Sequence, residues 1–199
     1  KGTGSATTVP HNLGVKPQLI IAKNMDSALY SWRVYSEVTD ATDYLTLNST
    51  GSTSDLNTIW NDTEPTSSVF SVGTNGGTSG SGNDIVAYLF ASLEGISHIG
   101  SYTGDGGNNN HQYISGFTAQ PRFVLIKSTS ASGGWMVFDS DRGITSGNDP
   151  YFNLNSDLNQ TEGYNMIHAF GAGGGNSAGF TPFGVANTSG TSYLYLAIT

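Results

Sequence analysis

Short apolar runs bounded by glycine, asparagine and serine recur along the whole chain, and none is long enough or periodic enough to fill a helix. In the first half they predict strands at Gln18 to Lys23, Ser31 to Ser36, Tyr44 to Asn48, Val69 to Gly73 and Ile85 to Leu93. In the second half the same reading gives Arg122 to Lys127, Gly134 to Asp139, Tyr151 to Asn155, a region around Tyr164 to Phe170, Phe180 to Val185 and Ser192 to Ile198. Gly76-Gly77, Gly80-Ser-Gly82, Gly133-Gly134 and Gly173-Gly-Gly175 read as the loops between them. The runs Leu19-Ile-Ile-Ala22 and Phe123-Val-Leu-Ile126 do not alternate, which predicts strands covered on both faces. By contrast Trp32-Arg-Val-Tyr35 and Tyr44-Leu-Thr-Leu47 alternate, which predicts one face toward a core and one toward solvent.

The two halves repeat one another. Pro17, Lys23, Trp32 and the segment Tyr44-Leu-Thr-Leu-Asn48 return as Pro121, Lys127, Trp135 and Tyr151-Phe-Asn-Leu-Asn155, at offsets of 104, 104, 103 and 107 residues. Drift of this size is what loop changes between duplicated units produce. The expectation is an all-β chain of two tandem antiparallel β-sandwich repeats, jelly-roll or concanavalin-like, related by internal duplication. Residues 1–98 form the first repeat and 99–199 the second, with the junction near 96–102. One fused, pseudo-symmetric sandwich fits the same offsets. A residue type found in both halves is then explained by the shared fold, and one found in a single half is where private function can sit.

Composition supports the strand reading, with 27 glycines, 11% charged and 11% aromatic residues and no cysteine among 199 residues. The missing cysteines exclude disulfides and thiolate metal sites. A formal charge of −8 disfavours phosphate backbones, so no nucleic-acid partner is expected. The longest apolar run, Ile85 to Leu93, is nine residues against the ~20 a membrane helix needs, so no membrane insertion is expected. The chain ends inside the strand-like run Tyr193 to Thr199, and it reads as a piece of a longer polypeptide.

Several strings are familiar together: Val9-Pro-His-Asn-Leu-Gly-Val-Lys-Pro17 with Leu19 to Lys23, Trp60 to Gly73, and Gly100-Ser-Tyr-Thr-Gly104. In the second half Gly116-Phe117 with Pro121, Trp135 with Asp139 and Arg142-Gly143, and Asn187 to Tyr193 belong with them. Nearly the whole chain thus resembles a repeated β-rich domain of tail-fibre and other virion structural proteins of tailed phages, many of them marine. The resemblance implies a virion protein displayed on the particle surface, with host-surface glycan or other virion proteins as partners and a homo-oligomeric assembly. Its motifs are structural punctuation and carry no catalytic signature. Pro182, in Gly179-Phe-Thr-Pro-Phe-Gly184, predicts an edge strand or a bulge, because proline cannot donate to a ladder.

Candidate chemistry is sparse. Trp60, in the polar stretch Asn57 to Glu64, has no tryptophan counterpart in the second half and is the aromatic candidate for stacking on a sugar, against the alternative of a core cap. Trp32 and Trp135, with Lys23 and Lys127, read as core aromatics with lysines leaving the strand ends for solvent. The polar loop Asn108-Asn109-Asn110-His111 supplies amides suited to sugar hydroxyls, and Thr74 to Asn83 is a second such loop. Asp139 and Asp141, with Asp149, are a weak calcium candidate lacking the glycine and distal glutamate of a calcium loop, and Asp139 with Arg142 reads equally as a turn-stabilising ion pair. No other cofactor is expected. Glu37, Asp62, Glu64, Asp139, Asp141 and Glu162 offer residue types for glycoside hydrolysis without an assigning spacing, and the four histidines have no nucleophile elbow beside them. The expected function is therefore non-enzymatic: a virion structural or tail-fibre module that binds host-surface glycan. The competing readings are a polysaccharide-degrading domain and a purely structural spacer or capsid decoration.

Overall fold

A computed structural model describes residues 1–107, 113–144, 147–173 and 177–199, and among these the regular structure is all β apart from three single turns of helix. It divides into two compact units, Lys1–Ala91 and Ser92–Thr199. The expected boundary at residue 98 falls inside a strand of the second unit, Ser97–Thr103.

In the first unit the order is β1 (Thr7–Pro10), β2 (Leu19–Asn24), β3 (Arg33–Ser36), β4 (Asp40–Thr46), β5 (Ser54–Asp55), α1 (Asn57–Trp60), β6 (Val69–Val72), α2 (Gly76–Ser79) and β7 (Ile85–Phe90). All pairing is antiparallel, in a five-stranded sheet ordered β5-β4-β3-β2-β7 and a two-stranded sheet of β1 and β6. Ile20, Ala22 and Tyr35 from the large sheet meet Phe70 and Val72 from the small one, and Ile59 and Trp60 on α1 close the end of this core. Burying side chains of this size stabilises by about 1.5–3 kcal/mol each for the larger aliphatics, which is what holds two small sheets together. β2 is buried on both faces, as its unbroken apolar run requires. β3 departs from expectation. Val34 and Tyr35, which point to opposite faces of the strand, are both buried, so β3 is covered on both faces.

The second unit runs β8 (Ser97–Thr103), β9 (Ile114–Phe117), β10 (Phe123–Ser128), β11 (Trp135–Asp139), β12 (Phe152–Asn153), β13 (Ile167–Phe170), β14 (Ala178–Pro182), a 3₁₀ turn at Gly184–Ala186 and β15 (Ser192–Ile198). Its sheets are β12-β11-β10-β15-β8 and β13-β14-β9. The core is richer in aromatic rings, with Tyr102, Phe117, Phe138, Phe180, Tyr193 and Tyr195 packed around Val124 and Ile126. β14 is not the edge strand its proline suggested, since it lies between β13 and β9. The ladder tolerates Pro182 because it is the last residue of the strand, and the pairing irregularity falls at Ala178/Gly179 instead.

The sheets of the two units share one order over four strands, β4-β3-β2-β7 in the first and β12-β11-β10-β15 in the second. Local bonds recur with it. The Trp32 N–H donates to the Asn48 side chain at 3.1 Å and the Trp135 N–H to the Asn155 side chain at 2.8 Å, which gives the recurring Tyr-x-x-Leu-Asn segment its physical role. Gly2 N–H donates to the Asn83 carbonyl and Gly104 N–H to the Thr191 carbonyl, both at 2.8 Å. Gly82 N–H donates back to Gly2, and Gly190 N–H to Gly104, again both at 2.8 Å. A Cβ on Gly2 or on Gly104 would run into the backbone of Gly80 or Thr188, so both chain crossings demand glycine. The units differ at one edge. β15 carries β8 on its outer side, whereas β7 pairs with β2 alone among the described strands.

Candidate functional site

Trp60 is not a surface platform. It is 2% exposed, its ring meets Tyr35 edge-on at a centroid distance of 6.2 Å, and the single turn of α1 plugs it into the core of the first unit. Asn108, Asn109, Asn110 and His111 lie outside the described residues.

The calcium candidate resolves into a turn. Asp139 Oδ1 accepts the backbone N–H groups of Asp141 at 3.1 Å and Arg142 at 3.0 Å, while Oδ2 pairs with the Arg142 guanidinium. Asp141 is exposed beside it, and Asp149 is turned inward, where Oδ2 accepts from Met166 N–H at 2.8 Å and Ile167 N–H at 3.1 Å. Asp139 and Asp149 therefore serve separate backbone segments. No cluster of three metal-ligating side chains occurs among the described residues.

Of the carboxylates weighed for hydrolysis, Glu37 and Glu64 do come together, held by Lys16 Nζ at 3.0 and 2.8 Å. Glu64 also accepts from the Tyr35 hydroxyl at 2.6 Å. Burial is the largest influence on the Tyr35 phenol and, with the Glu64 hydrogen bond, drives its pKa far above the ordinary value. The Glu64 hydrogen bond raises Lys16. For Glu37, desolvation pushes upward, but the Lys16 and Gln18 hydrogen bonds outweigh it and leave the carboxyl below its usual value. Such a group is an ion-pair brace on the surface. Glu37 is thereby favoured as a charged acceptor, the opposite of what a general acid requires.

The lysines were expected to leave the strand ends for solvent, and Lys127 does the opposite. It is fully buried, its ammonium donates to the Gly133 carbonyl at 2.7 Å, and it lies 5.9 Å from the centroid of the buried Trp135 ring. Burial pulls its pKa down to about 8. In the first unit Lys23 donates to the carbonyls of Ser27 and Tyr30, so each lysine ties down the hairpin between its strand and the next.

That hairpin is where the two units diverge most in chemistry. Counting back from Trp32 and Trp135, Tyr30 and Gly133 occupy the same place. The Tyr30 ring packs directly against Gly76, where a Cβ would fall inside the ring. Gly133 and Gly134 carry no such ring, and a cleft of about 290 Å³ opens there between the hairpin and the loop after the 3₁₀ turn. Its walls are Ser128, Ser132, Tyr151, Asn153, Thr188 and Thr191. This volume lies just below the ~300–1,000 Å³ range of small-molecule sites.

Each wall is held from behind. Tyr193 donates its hydroxyl to the Val185 carbonyl at 2.8 Å and accepts the Thr188 N–H at 3.0 Å, which fixes the far rim. Ser128 Oγ donates to the Ala131 carbonyl at 2.9 Å and fixes the near one. Tyr151 packs on Phe138 with ring centroids 5.3 Å apart. Asn153 packs its amide against Gly134, where the buried oxygen has no hydrogen-bond partner among the described residues. The lining holds hydroxyls, an amide and two tyrosine rings, and no carboxylate or imidazole. It can hydrogen-bond and stack on a neutral polar ligand, and it has no acid–base pair.

Sequence reading missed this cleft because its chief signal is a pair of glycines, which read as a loop. The Tyr30-to-Gly133 exchange between the halves was the available clue. A family model for a domain of unknown function, DUF7483, matches residues 1–199, and the chain belongs to that family. No curated protein and no solved structure matches it.

Proposed function

We propose that the chain is a non-enzymatic structural module of a virion surface or tail-fibre protein, and that the cleft of its second unit binds host-surface glycan. The observation that carries the binding is the cleft of about 290 Å³ itself, lined by Ser, Thr, Asn and Tyr side chains with no carboxylate or imidazole among them. Sugar rings offer the matching groups, hydroxyls to satisfy the amide and the threonines and a C–H face to lie on Tyr151. The virion setting rests on the sequence resemblance to phage tail-fibre domains.

A single shallow site of this size would bind at about millimolar Kd, and display of many copies would raise avidity by roughly 10² to 10⁴. The test is retention of the 199-residue chain on a multivalent glycan panel, with Asn153→Ala alongside. Retention on a defined glycan class that Asn153→Ala weakens about tenfold, without a change in folding, supports the reading, since ~1.4 kcal/mol corresponds to tenfold. Silence across the panel at high valency would leave a structural spacer. Progressive loss of the immobilised glycan would mean hydrolysis.

A further inference from the structure

In the second unit the outer edge of β15 is covered. β8 pairs with it along its whole length, from Ser97 opposite Ile198 to Thr103 opposite Ser192, and then enters the crossing at Gly104. One residue before the end of that strand, Tyr102 turns inward. It stacks on Tyr193 with ring centroids 4.9 Å apart, meets Phe180 edge-on at 6.5 Å, and donates its hydroxyl to the Ala186 carbonyl at 2.5 Å. Under this cover Tyr193 to Ala197 are all buried.

The first unit has the same crossing at Gly2 and Gly4, with the same bonds to the loop before β7. Lys1 occupies the place of Thr103 and is tied by its ammonium to Asp84, the residue just ahead of β7, at 2.7 Å. β7 itself is only partly covered: no residue from Ile85 to Phe90 is fully buried, and Tyr88 is 51% exposed. Where the Tyr102 ring sits in the second unit, the first unit has an open apolar cleft of about 110 Å³ lined by Val9, Ala22, Phe70, Val72, Ile85 and Ala87. An enclosed apolar cavity of ~150 Å³ accommodates benzene, and this cleft, smaller but open to solvent, would hold an aromatic ring only partly enclosed. Thr78, which stands where Ala186 stands, also lines it.

We infer that the free edge of β7 and this cleft accept one further antiparallel strand, an extended segment of the kind residues 97–102 form in the second unit, whose terminal aromatic side chain enters the cleft. Main-chain bonds along β7 would supply affinity and the ring would fix the register, which is strand addition to an exposed sheet edge. An exposed edge with apolar neighbours is otherwise a site of promiscuous pairing. This strand is independent of the glycan site, which lies wholly in the other unit.

The test appends Ser-His-Ile-Gly-Ser-Tyr, the sequence of residues 97–102, directly ahead of Lys1 in the full 199-residue chain. A second version ends in serine in place of tyrosine. Hydrogen exchange of the β7 amides is read against the β15 amides, which report independently that the chain is folded. The expected result is roughly tenfold or greater slowing of the outward-facing β7 amides with the tyrosine version, and little with the serine version. Equal exchange with and without the appended strand would overturn the proposal, as would equal protection by both versions. Protection of β7 in the unmodified chain, together with a dimeric mass by sedimentation, would overturn it in favour of a second copy as the occupant.

Discussion

The ammonium of Lys127 donates to the carbonyl oxygen of Gly133 at 2.7 Å from a fully buried position, so the hairpin that opens the second unit's cleft is anchored by a desolvated charge. This contact makes the cleft a built feature and not a gap between loops.

It also sets a pH dependence. Burial lowers the Lys127 pKa from 10.5 to about 8. The unfolded chain therefore holds a proton that the folded chain has released between those values, and stability rises with pH across that window. Below about pH 8 the folded chain carries the full cost of a buried charge. Thermal unfolding followed from pH 7 to pH 9.5 should show the melting temperature rising with pH, and Lys127→Met should flatten that rise. A melting temperature that falls in both proteins alike would show that the ammonium is solvated.

Trp60→Ala should destabilise the first unit by about 3–5 kcal/mol, as large-to-small changes of buried aromatics do, since the ring fills core space beside Tyr35. Chemical denaturation with a probe in each unit measures this. A surface tryptophan would cost well under ~1 kcal/mol, and glycan retention per folded molecule should not change.

Asn48→Ala and Asn155→Ala each remove the side-chain acceptor for a tryptophan N–H. Each should cost about 1 kcal/mol, with Asn155→Ala the larger, because Trp135 is fully buried and Trp32 only partly so. Denaturant midpoints of the two variants give the comparison directly.

Asp139→Ala should act as the loss of a turn, lowering stability by about 1 kcal/mol through the two backbone N–H groups it leaves without their acceptor. Addition of Ca²⁺ should leave the melting temperature of the unmodified chain where it was, because Asp139 already spends both oxygens on Asp141, Arg142 and the guanidinium. A calcium-dependent rise lost in Asp139→Ala would overturn this assignment.

The strands were legible because their apolar runs are short and bounded by turn residues, and β2 and β10 announced their burial on both faces by failing to alternate. β3 misled because Arg33 breaks the apolar pattern, yet its guanidinium lies over the Tyr44 ring at 4.9 Å and leaves Val34 and Tyr35 free to be buried on opposite faces. The boundary was misplaced because β8 precedes the second repeat's shared motifs and belongs to that unit through pairing alone, a long-range contact no local pattern encodes. Trp60 looked exposed from its polar neighbours, but a four-residue helical turn is enough to send one side chain inward. The cleft was the least legible feature, since it is made by a ring that Gly133 does not have.

The most direct test of the glycan site fills the cleft the way the first unit fills its own. Gly133→Tyr places a ring where Tyr30 sits in the other unit, and a Cβ at Gly133 meets only the Ser128 Cβ, at 3.5 Å, an ordinary contact. Retention on the multivalent glycan panel should be present in the unmodified chain and lost in Gly133→Tyr, with the two melting temperatures alike. Undiminished retention by a folded Gly133→Tyr chain would contradict the assignment of glycan binding to this cleft.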